Sequence, residues 1–328
     1  MNINEIAKMA NVSRATVSRY LNNGYVGNDK KEAVRKVIEK TGYKPSTQAR
    51  KLRLQKTGII GLVIPKTQSE SVSRMVSGIS SVLADKDYQL LLANTMGNPK
   101  EEIKYLKTFN KSQVDGILFM GTTFTKEHMH QLKNLEVPIV IIGQRLDGYP
   151  SVYQDDYHAA REISRKLLQS SRMPGYLGTK EDDVAVGRDR KRGFLEAVEE
   201  AGLTITQEQM KIAEMGIRSG YEKAAELLSK VPETDALFCA TDNIAIGALK
   251  YLHEQKISVP EQVQIIGFGD TEVASVVTPA LTTVHYYYQE TGAEAARLLL
   301  EILENGVNLR KTVEMGYELA EHDSTRAI

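Results

Sequence analysis

Small, hydroxylated and cationic side chains follow one another closely near the start of the chain. The run comprises Ser13, Arg14, Ala15, Thr16, Ser18 and Arg19. A guanidinium group can donate two hydrogen bonds to a guanine, a hydroxyl can bind a phosphate oxygen, and a methyl group can contact the methyl of thymine. The chemistry that these residue types support is contact with duplex DNA.

The residues around this run predict two short helices joined by a tight turn. Asn2 can cap the first helix, and Glu5, three residues later, can complete a capping box. Ser13 stands where an N-cap is needed for the second helix. Val17 and Leu21, four residues apart, give that helix an apolar inner face. The pattern predicts a helix-turn-helix whose second helix enters the major groove.

A third helix is predicted to begin near Asn28 or Asp29 and to end at Thr41-Gly42, with Gly42 just beyond the last turn.

Charge is segregated along the chain, although its formal net charge is +0. Residues 1–56 contain 13 basic and 4 acidic side chains, and the remainder contains 29 basic and 38 acidic ones. A small basic head on an acidic body is typical of a nucleic-acid-binding protein. A solvated charged surface would explain the content but not this asymmetry.

Short motifs continue this pattern over nearly the whole chain. They are AKMANVSRATVSRYLNN at residues 7–23, Gly42-Tyr43-Lys44-Pro45-Ser46, Ala49-Arg50 with Leu52-Arg53, Ile60-Gly61-Leu62-Val63-Ile64-Pro65, Val114-Asp115-Gly116-Ile117, Val137-Pro138-Ile139-Val140 and Leu281-Thr282-Thr283-Val284. In this order they resemble the lactose-repressor (LacI/GalR) family of bacterial transcriptional regulators. The resemblance implies a homodimer that binds double-stranded operator DNA, with DNA contacts extending to Asn22 and Tyr43.

Residues 45–56 form the expected joint between head and body. By itself, a helix of this length is marginal in water, so the segment predicts a charged linker in the free protein. The resemblance implies that two such segments fold together over the minor groove as hinge helices. Leu52 would then wedge between base pairs, and Ala49 would allow the helices to approach closely. Plain packing by Leu52 is the alternative.

From residue 58 onward, short apolar runs alternate with stretches of helical spacing. Runs at residues 59–64, 89–93, 116–120 and 139–142 form a first series, and runs near residues 175–178, 236–240 and 263–267 form a second. This alternation predicts parallel sheets covered by helices. Two such lobes in tandem form a cleft at the carboxyl ends of their strands, where ligands bind.

The expected fold is an all-α helix-turn-helix head with a hinge, followed by an α/β body of two doubly wound parallel-sheet lobes. The resemblance implies that the body has the periplasmic-binding-protein-like form. The expected domains are a DNA-binding domain at residues 1–44, a hinge helix or linker at 45–56 and an effector-binding and dimerisation domain at 57–328. The first lobe would comprise about 57–154 and 285–314, and the second about 155–284 and 315–328.

Several residues at predicted strand ends could bind a small effector in the cleft. The resemblance implies that Arg190 hydrogen-bonds the effector, and the alternative is a surface salt bridge to Asp183 or Glu196. The other candidates are Ser69, Ser71, Val72, Thr241, Asp242, Asp270, Tyr286 and Tyr288. Carboxylates there can accept sugar hydroxyls or cap a helix, and a tyrosine ring can cover a sugar face or pack between lobes.

Gly143 and Gly269 stand where family members that bind unmodified sugars often have an aspartate. Their presence suggests a larger ligand or one with its own negative charge, such as a disaccharide or a sugar phosphate. Purines and amino sugars are alternatives. A different form of control, by a protein corepressor, would need a docking patch on the first lobe.

The sequence offers little support for catalysis. Gly267-Phe268-Gly269 resembles half of a dinucleotide-binding motif, but Glu272 occupies the position of its third glycine. The histidines show no convincing metal-ligand spacing, and no cofactor is predicted.

A cytoplasmic protein without a membrane span is predicted. The chain has a single cysteine, Cys239, and the sequence shows neither an apolar signal segment nor a long apolar run. A cytoplasmic sugar-binding protein without a regulatory role is the remaining alternative, which the basic head disfavours.

Overall fold

The computed structural model describes residues 1–21, 24–43, 56–112, 114–306 and 309–326. Within it the chain divides into two compact units, a head at residues 1–58 and a body at residues 59–328. Asn22, Ala49 and Leu52, which the sequence places at the DNA, lie outside the described residues.

Three helices form the described part of the head: α1 (Ile3–Met9), α2 (Arg14–Leu21) and α3 (Asn28–Thr41). The capping box of α1 is confirmed, because Asn2 Oδ1 accepts from the Glu5 amide at 3.1 Å and Glu5 Oε2 accepts from the Asn2 amide at 2.8 Å. The N-cap of α2 is also confirmed, since Ser13 Oγ accepts from the Thr16 amide at 3.1 Å. The buried core of the head comprises Ile6, Ala7, Ala10, Val17 and Val34. The head therefore has the helix-turn-helix form that the sequence predicts.

The body alternates strands and helices. Its described strands are β1 (Ile59–Ile64), β2 (Gln89–Asn94), β3 (Gly116–Phe119), β4 (Ile139–Ile142), β5 (Ser151–Gln154), β6 (Pro174–Gly178), β7 (Met210–Ile212), β8 (Ala236–Cys239), β9 (Gln264–Ile266), β10 (Thr283–Tyr286), β11 (Thr312–Met315) and β12 (Tyr317–Ala320). Its described helices are α4 (Glu70–Ala84), α5 (Pro99–Ser112), α6 (Lys126–Lys133), α7 (Asp156–Leu168), α8 (Arg190–Glu200), α9 (Ile217–Lys230), α10 (Asp242–Glu254), α11 (Glu272–Val276) and α12 (Tyr288–Asn305). A π-helical segment, Val184–Asp189, leads directly into α8.

Two parallel sheets organise the body into two lobes. The first lobe has a six-stranded sheet of order β11-β5-β4-β3-β1-β2, and the second has a four-stranded sheet of order β7-β6-β8-β9. Strands β10 and β12 form a separate antiparallel pair. The chain leaves the first sheet after β5, returns in α12 to pack on α4, and leaves again after β11. The prediction of two parallel-sheet lobes is confirmed.

The boundaries differ from the sequence-based expectation where local signals are weak. The helical stretch of residues 184–200 begins with the π-helical segment Val184–Asp189, and its α-helical part is Arg190–Glu200. Strand β7 was not predicted, because Met210–Ile212 is short and includes Lys211. Strands β11 and β12 were likewise not predicted as strands, since neither contains a run of buried residues.

Helices α4 and α12 pack so closely that glycines are needed at their contact. A Cβ atom on Gly78 would lie 1.9 Å from the carbonyl oxygen of Gln289, and one on Gly292 would lie 2.0 Å from that of Met75. Both obstacles are backbone atoms, which cannot move aside as the end of a side chain can. This contact joins the start of the first lobe to the segment that returns to it near residue 288.

We expect Gly78→Ala to lower the free energy of unfolding of the body by about 1–3 kcal/mol, because α4 and α12 must separate to admit the methyl group. Urea denaturation followed by circular dichroism measures the change. Gly316→Ala is the matched control, since a Cβ atom there would meet nothing within 4 Å. Equal stability of the two variants would contradict the described helix contact.

None of the helices in the described ranges is both long enough and apolar enough to span a membrane.

Candidate DNA-binding helix and effector cavity

Helix α2 presents the side chains that the sequence assigns to DNA. Arg14, Ala15 and Arg19 are exposed, and Thr16 and Ser18 are half-buried. Neither arginine forms an ion pair with any residue that the structure describes. By contrast, Arg35 on α3 pairs with Glu32 at 2.7 Å. The two arginines of α2 are therefore available for contacts outside the head.

Tyr43 has a different environment from the α2 residues. Its side chain is half-buried and packs against the head core, together with Val37 and Ile38 of α3. The Tyr43 ring thus contributes to the packing of the head, and a DNA contact from this residue would have to come from its exposed part.

A cavity of about 730 Å³ lies between the two lobes of the body. The first lobe lines it with the segments that follow β1, β2, β3 and β4, and the second lobe with those that follow β6 and β7. These are the carboxyl ends of parallel strands, where backbone groups and side chains converge on a ligand in folds of this type. The volume suits a small organic molecule.

A buried ion pair forms part of the second-lobe wall. Arg190 donates from Nε to Asp156 Oδ1 at 2.6 Å and from Nη1 to the Ala240 carbonyl at 2.6 Å. Tyr286 donates its hydroxyl to the same carboxylate oxygen at 3.0 Å. The guanidinium also lies over the rings of Phe268 and Tyr286. Burial acts to lower the pKa of Arg190, but Asp156 and the neighbouring tyrosines raise it overall, so the group stays charged.

This arrangement changes the interpretation of Arg190. Its partner is neither Asp183 nor Glu196, the two carboxylates considered from the sequence, but the buried Asp156. Arg190 still lines the cavity, so the side chain that is expected to bind the effector also has a structural role.

Gln144 connects the lobes across the cavity. It follows β4 in the first lobe and donates from Nε2 to the Thr122 carbonyl at 2.6 Å and to Asp183 Oδ1 at 3.3 Å in the second lobe. Asp183 also accepts from the Val186 amide at 3.0 Å, which caps the π-helical segment. Burial raises the pKa of Asp183 to about 6.

The raised pKa of Asp183 predicts a pH dependence of stability. Its carboxyl has a pKa near 3.8 when solvated, so between that value and about 6 the folded protein binds a proton that the unfolded chain does not. This contribution favours folding and is fully present below about pH 4; it is lost progressively as the pH rises from about 4 to about 6, and its size is about 2–3 kcal/mol.

We expect Asp183→Asn to remove that dependence. Urea unfolding at pH 5 and pH 7 should show that the wild-type protein loses more stability over this interval than the variant. Asp182→Asn, at the exposed neighbouring carboxylate, should behave like the wild type. Parallel pH profiles for wild type and Asp183→Asn would contradict the prediction.

Five of the nine effector candidates line the cavity: Ser69, Ser71, Val72, Arg190 and Tyr288. Ser69 and Ser71 hydrogen-bond each other through their hydroxyls at 2.8 Å near the start of α4. Tyr288 begins α12 and is buried, and this burial raises the pKa of its hydroxyl to about 12. The structure therefore brings residues from both lobes to one site.

The other four candidates, Thr241, Asp242, Asp270 and Tyr286, are not among the cavity-lining residues. Their polar atoms bond within the protein. Thr241 caps α10, since its Oγ1 accepts from the Ile244 amide at 3.3 Å. Asp242 is buried and accepts from Thr283 Oγ1 at 2.5 Å and from the Thr271 amide at 2.8 Å.

Asp270 and Tyr286 are occupied in a similar way. Asp270 Oδ2 lies 2.7 Å from His285 Nδ1, and the Tyr286 hydroxyl bonds to Asp156. Of the two tyrosines expected at the cleft, only Tyr288 lines the cavity, because Tyr286 is 1% exposed and packs in the core. Tyr286 therefore supports a lining residue, Asp156, from within the core, and Asp270 is engaged by His285.

The two glycines that the sequence analysis read as missing carboxylates have a backbone explanation. Gly143 has φ +85° and Gly269 has φ +133°, a region that side-chain-bearing residues rarely adopt. Carboxylates reach the cavity from other positions, Asp156 and Asp183. The glycines therefore do not show that the site lacks acidic acceptors, and they give no support to a charged ligand.

Sequence reasoning missed Asp156, Asp183, Gln144 and the methionines of the cavity. Asp156 follows Asp155 at the start of a helix, where either residue could be a cap, and no local pattern marks it as the partner of Arg190. Gln144 follows directly on the β4 run and Gly143, a position that could have suggested a strand-end role.

Across the described ranges, no group of three or more His, Cys, Asp and Glu residues is arranged to hold a metal ion.

Comparison with known proteins identifies the family. Residues 2–46 match the model of the bacterial regulatory proteins of the lacI family, and residues 169–325 match a periplasmic binding protein-like domain. The chain is 34% identical to the sucrose operon repressor of Staphylococcus xylosus over 306 residues, which cover 93% of this chain and 95% of the relative. The chain belongs to the lacI family of bacterial regulatory proteins.

Other lacI-family relatives match over the full length. Catabolite control protein A of Priestia megaterium is 30% identical over 328 residues and 99% of each chain. A solved complex of the transcriptional regulator CelR with cellobiose covers 99% of both chains at 26% identity, with a TM-score of 0.76. The lac repressor dimer bound to operator and an anti-inducer, at 18% identity, has the same fold with a TM-score of 0.85. LacI-family members are transcriptional regulators and not enzymes, so the chain is a DNA-binding regulator.

Proposed function

We propose that the protein is a homodimeric repressor of a carbohydrate-utilisation operon, and that a sugar or sugar phosphate bound between the lobes switches its operator binding. The observation that carries this proposal is the cavity, which both lobes line. A molecule that contacts both lobes binds some of their relative arrangements more tightly than others, and so shifts the population among them.

On the DNA side, each head would place α2 in the major groove of one half-site of a pseudo-palindromic operator. Arg14 and Ala15 would contact bases, and Thr16, Ser18 and Arg19 would contact phosphates or bases. Roles for Asn22, Ala49 and Leu52 remain part of the proposal, as do the hinge at residues 45–56 and the domain limits given above. Since its target is operator DNA, the protein would act in the bacterial cytoplasm.

The carbohydrate assignment draws support from the relatives. One is named a sucrose operon repressor, and another is a regulator solved with cellobiose. The cavity adds hydroxyl groups at Ser69 and Ser71 and carboxylates at Asp156 and Asp183, which are suitable hydrogen-bonding partners for sugar hydroxyls.

Coupling between the sites must be reciprocal. An effector that weakens operator binding must itself bind more weakly to the operator complex, by the same factor. Coupling of about 1–3 kcal/mol, the usual range for allosteric proteins, is sufficient for a useful switch.

Two measurements test the function. Operator sequences selected from random duplex DNA should be palindromic, and their affinity should fall as salt rises, because the basic head displaces counterions from phosphates. Thermal-shift screening against sugars and sugar phosphates should then find a ligand that stabilises the protein and changes operator affinity. A monomeric protein, or one without salt-sensitive DNA binding, would overturn the proposal.

A protein corepressor is the second candidate, favoured by the full-length similarity to catabolite control protein A. In that case, operator affinity would respond to a phosphocarrier protein and not to a sugar. Pull-down with a purified phosphocarrier protein, together with the thermal-shift screen, separates the two modes of control.

A further inference from the structure

Methionine is unusually prominent in the wall of the cavity. Four of the chain's 10 methionines line it, the largely buried Met75 and Met120 and the more exposed Met96 and Met215. The first three belong to the first lobe, and Met215 follows β7 in the second. Among the described residues that line the cavity, Tyr288 is the one aromatic side chain, and it is largely buried. The apolar part of the wall is therefore thioether and aliphatic.

Met96 is held in a conformation that its side chain does not favour. Its φ is +54°, and the side chain is 84% exposed at the rim of the cavity. The Asn94 side chain accepts from the Met96 amide at 3.2 Å, which helps to fix this turn. Positive φ in a residue without a short polar side chain is uncommon and often marks a functional position. An exposed thioether is thus presented beside the opening.

The charges of the wall do not favour an anionic ligand. Arg190 is paired with Asp156, and Lys180 lies 3.3 Å from Glu214. Lys66, from the first lobe, remains as a cation, whereas the second lobe contributes the carboxylates of Asp182 and Asp183. The lining thus contains more carboxylates than cations, and a phosphate placed there would be repelled by unpaired carboxylates.

We infer that the effector is an uncharged glycoside whose non-sugar part is an aromatic ring. The sugar hydroxyls would bond to the polar wall, and the aromatic ring would lie against the methionine side chains. Thioether sulfur makes favourable contacts with aromatic rings, and flexible methionines adapt to flat ligands of different outline. This inference rests on the proposed function, since it specifies the ligand of the same cavity.

Matched glycoside pairs provide the test. Isothermal titration calorimetry on the full chain compares phenyl with methyl glycosides, as the α and β anomers of glucose and galactose. Glucose 6-phosphate and cellobiose are included in the same series. At least one phenyl glycoside is expected to bind about tenfold or more tightly than its methyl partner, because the ring buries apolar area against methionine.

The outcomes separate this inference from the proposed function. Equal affinity within every pair, or tighter binding of glucose 6-phosphate or cellobiose, overturns the aromatic glycoside and leaves control by a sugar intact. Absence of binding by every compound in the series overturns the aromatic glycoside, and the proposed control by a sugar is then decided by the thermal-shift screen and the operator-binding measurements described above.

Variants of Met96 and Met215 provide a second arm of the test. Met96→Ala and Met215→Ala are expected to weaken phenyl glycoside binding by about three- to tenfold and to leave methyl glycoside binding nearly unchanged. Met215→Leu, which keeps the apolar volume, should lose less than Met215→Ala. Met129→Ala, in α6 and away from the cavity, is the control. Equal losses for phenyl and methyl partners would overturn the assigned contacts.

Discussion

Replacing Arg14 with alanine is expected to remove the preference of the head for one or two operator base pairs. Arg14 opens α2, is exposed, and forms no ion pair with the residues that the structure describes. Loss of a bidentate contact between its guanidinium and a guanine should reduce operator affinity by about 1–3 kcal/mol. Binding to DNA of unrelated sequence should weaken far less, since only one positive charge is lost.

Arg35→Ala provides the matched control for this prediction. Arg35 is also an exposed arginine of the head, but it is located on α3 and pairs with Glu32 and Glu39. Its removal should leave the base preference unchanged, because its guanidinium is engaged by these two glutamates and does not lie on the helix that is expected to contact bases. Selection of binding sites from random duplex DNA with each variant measures the outcome. An unchanged sequence profile for Arg14→Ala would refute the base contact.

Replacing Asp156 with alanine is expected to lower the free energy of unfolding of the body by about 3–5 kcal/mol. The change leaves the buried Arg190 guanidinium without its counter-charge and the Tyr286 hydroxyl without its acceptor. An unpaired charge in a buried site costs far more free energy than a lost surface contact.

Urea denaturation of the wild type, Asp156→Ala and Glu222→Ala tests this expectation. Glu222 pairs with Arg218 in an exposed position of the same lobe, so its replacement should change stability by less than about 1 kcal/mol. Similar losses in the two variants would contradict the structural role of the buried pair.

The buried pair also affects how effector variants should be designed. Arg190→Ala would remove a possible ligand contact and a structural ion pair together, so loss of the ligand response could not be attributed to the cavity alone. Arg190→Lys keeps the charge near Asp156 and removes the planar fork, which makes it the better probe of ligand recognition.

The sequence predicted best those elements whose signals are local. The capping box at Asn2 and Glu5 and the strands Ile59–Ile64 and Ile139–Ile142 occur where they were expected, because caps and uninterrupted apolar runs involve neighbouring residues. Strand β7 and strand β11 lie at sheet edges and contain charged residues, so their signal was too weak.

The site could be predicted only in part for the same reason. Arg190 and Tyr288 line the cavity; the family resemblance implied the first as a binding residue, and the aromatic ring near a predicted crossover suggested the second. Asp242 and Asp270 have equally suitable residue types, but long-range partners, Thr283 and His285, engage their carboxylates. Whether a polar residue at a strand end faces a ligand or another segment depends on tertiary contacts that no local pattern contains.

The late position of strand β11 affects how the body can fold during synthesis. The other five strands of its sheet are complete by residue 154, but β11 at Thr312–Met315 pairs with β5 only after about 160 more residues have been made. At roughly 5–20 residues per second, this delay lasts roughly 10–30 s on the ribosome. Ser324 then donates to the Ile265 carbonyl at 2.7 Å in the second lobe, so both lobes depend on the same late segment. A nascent chain that is released before this point should be a substrate for chaperones and proteases, and not a partly active regulator.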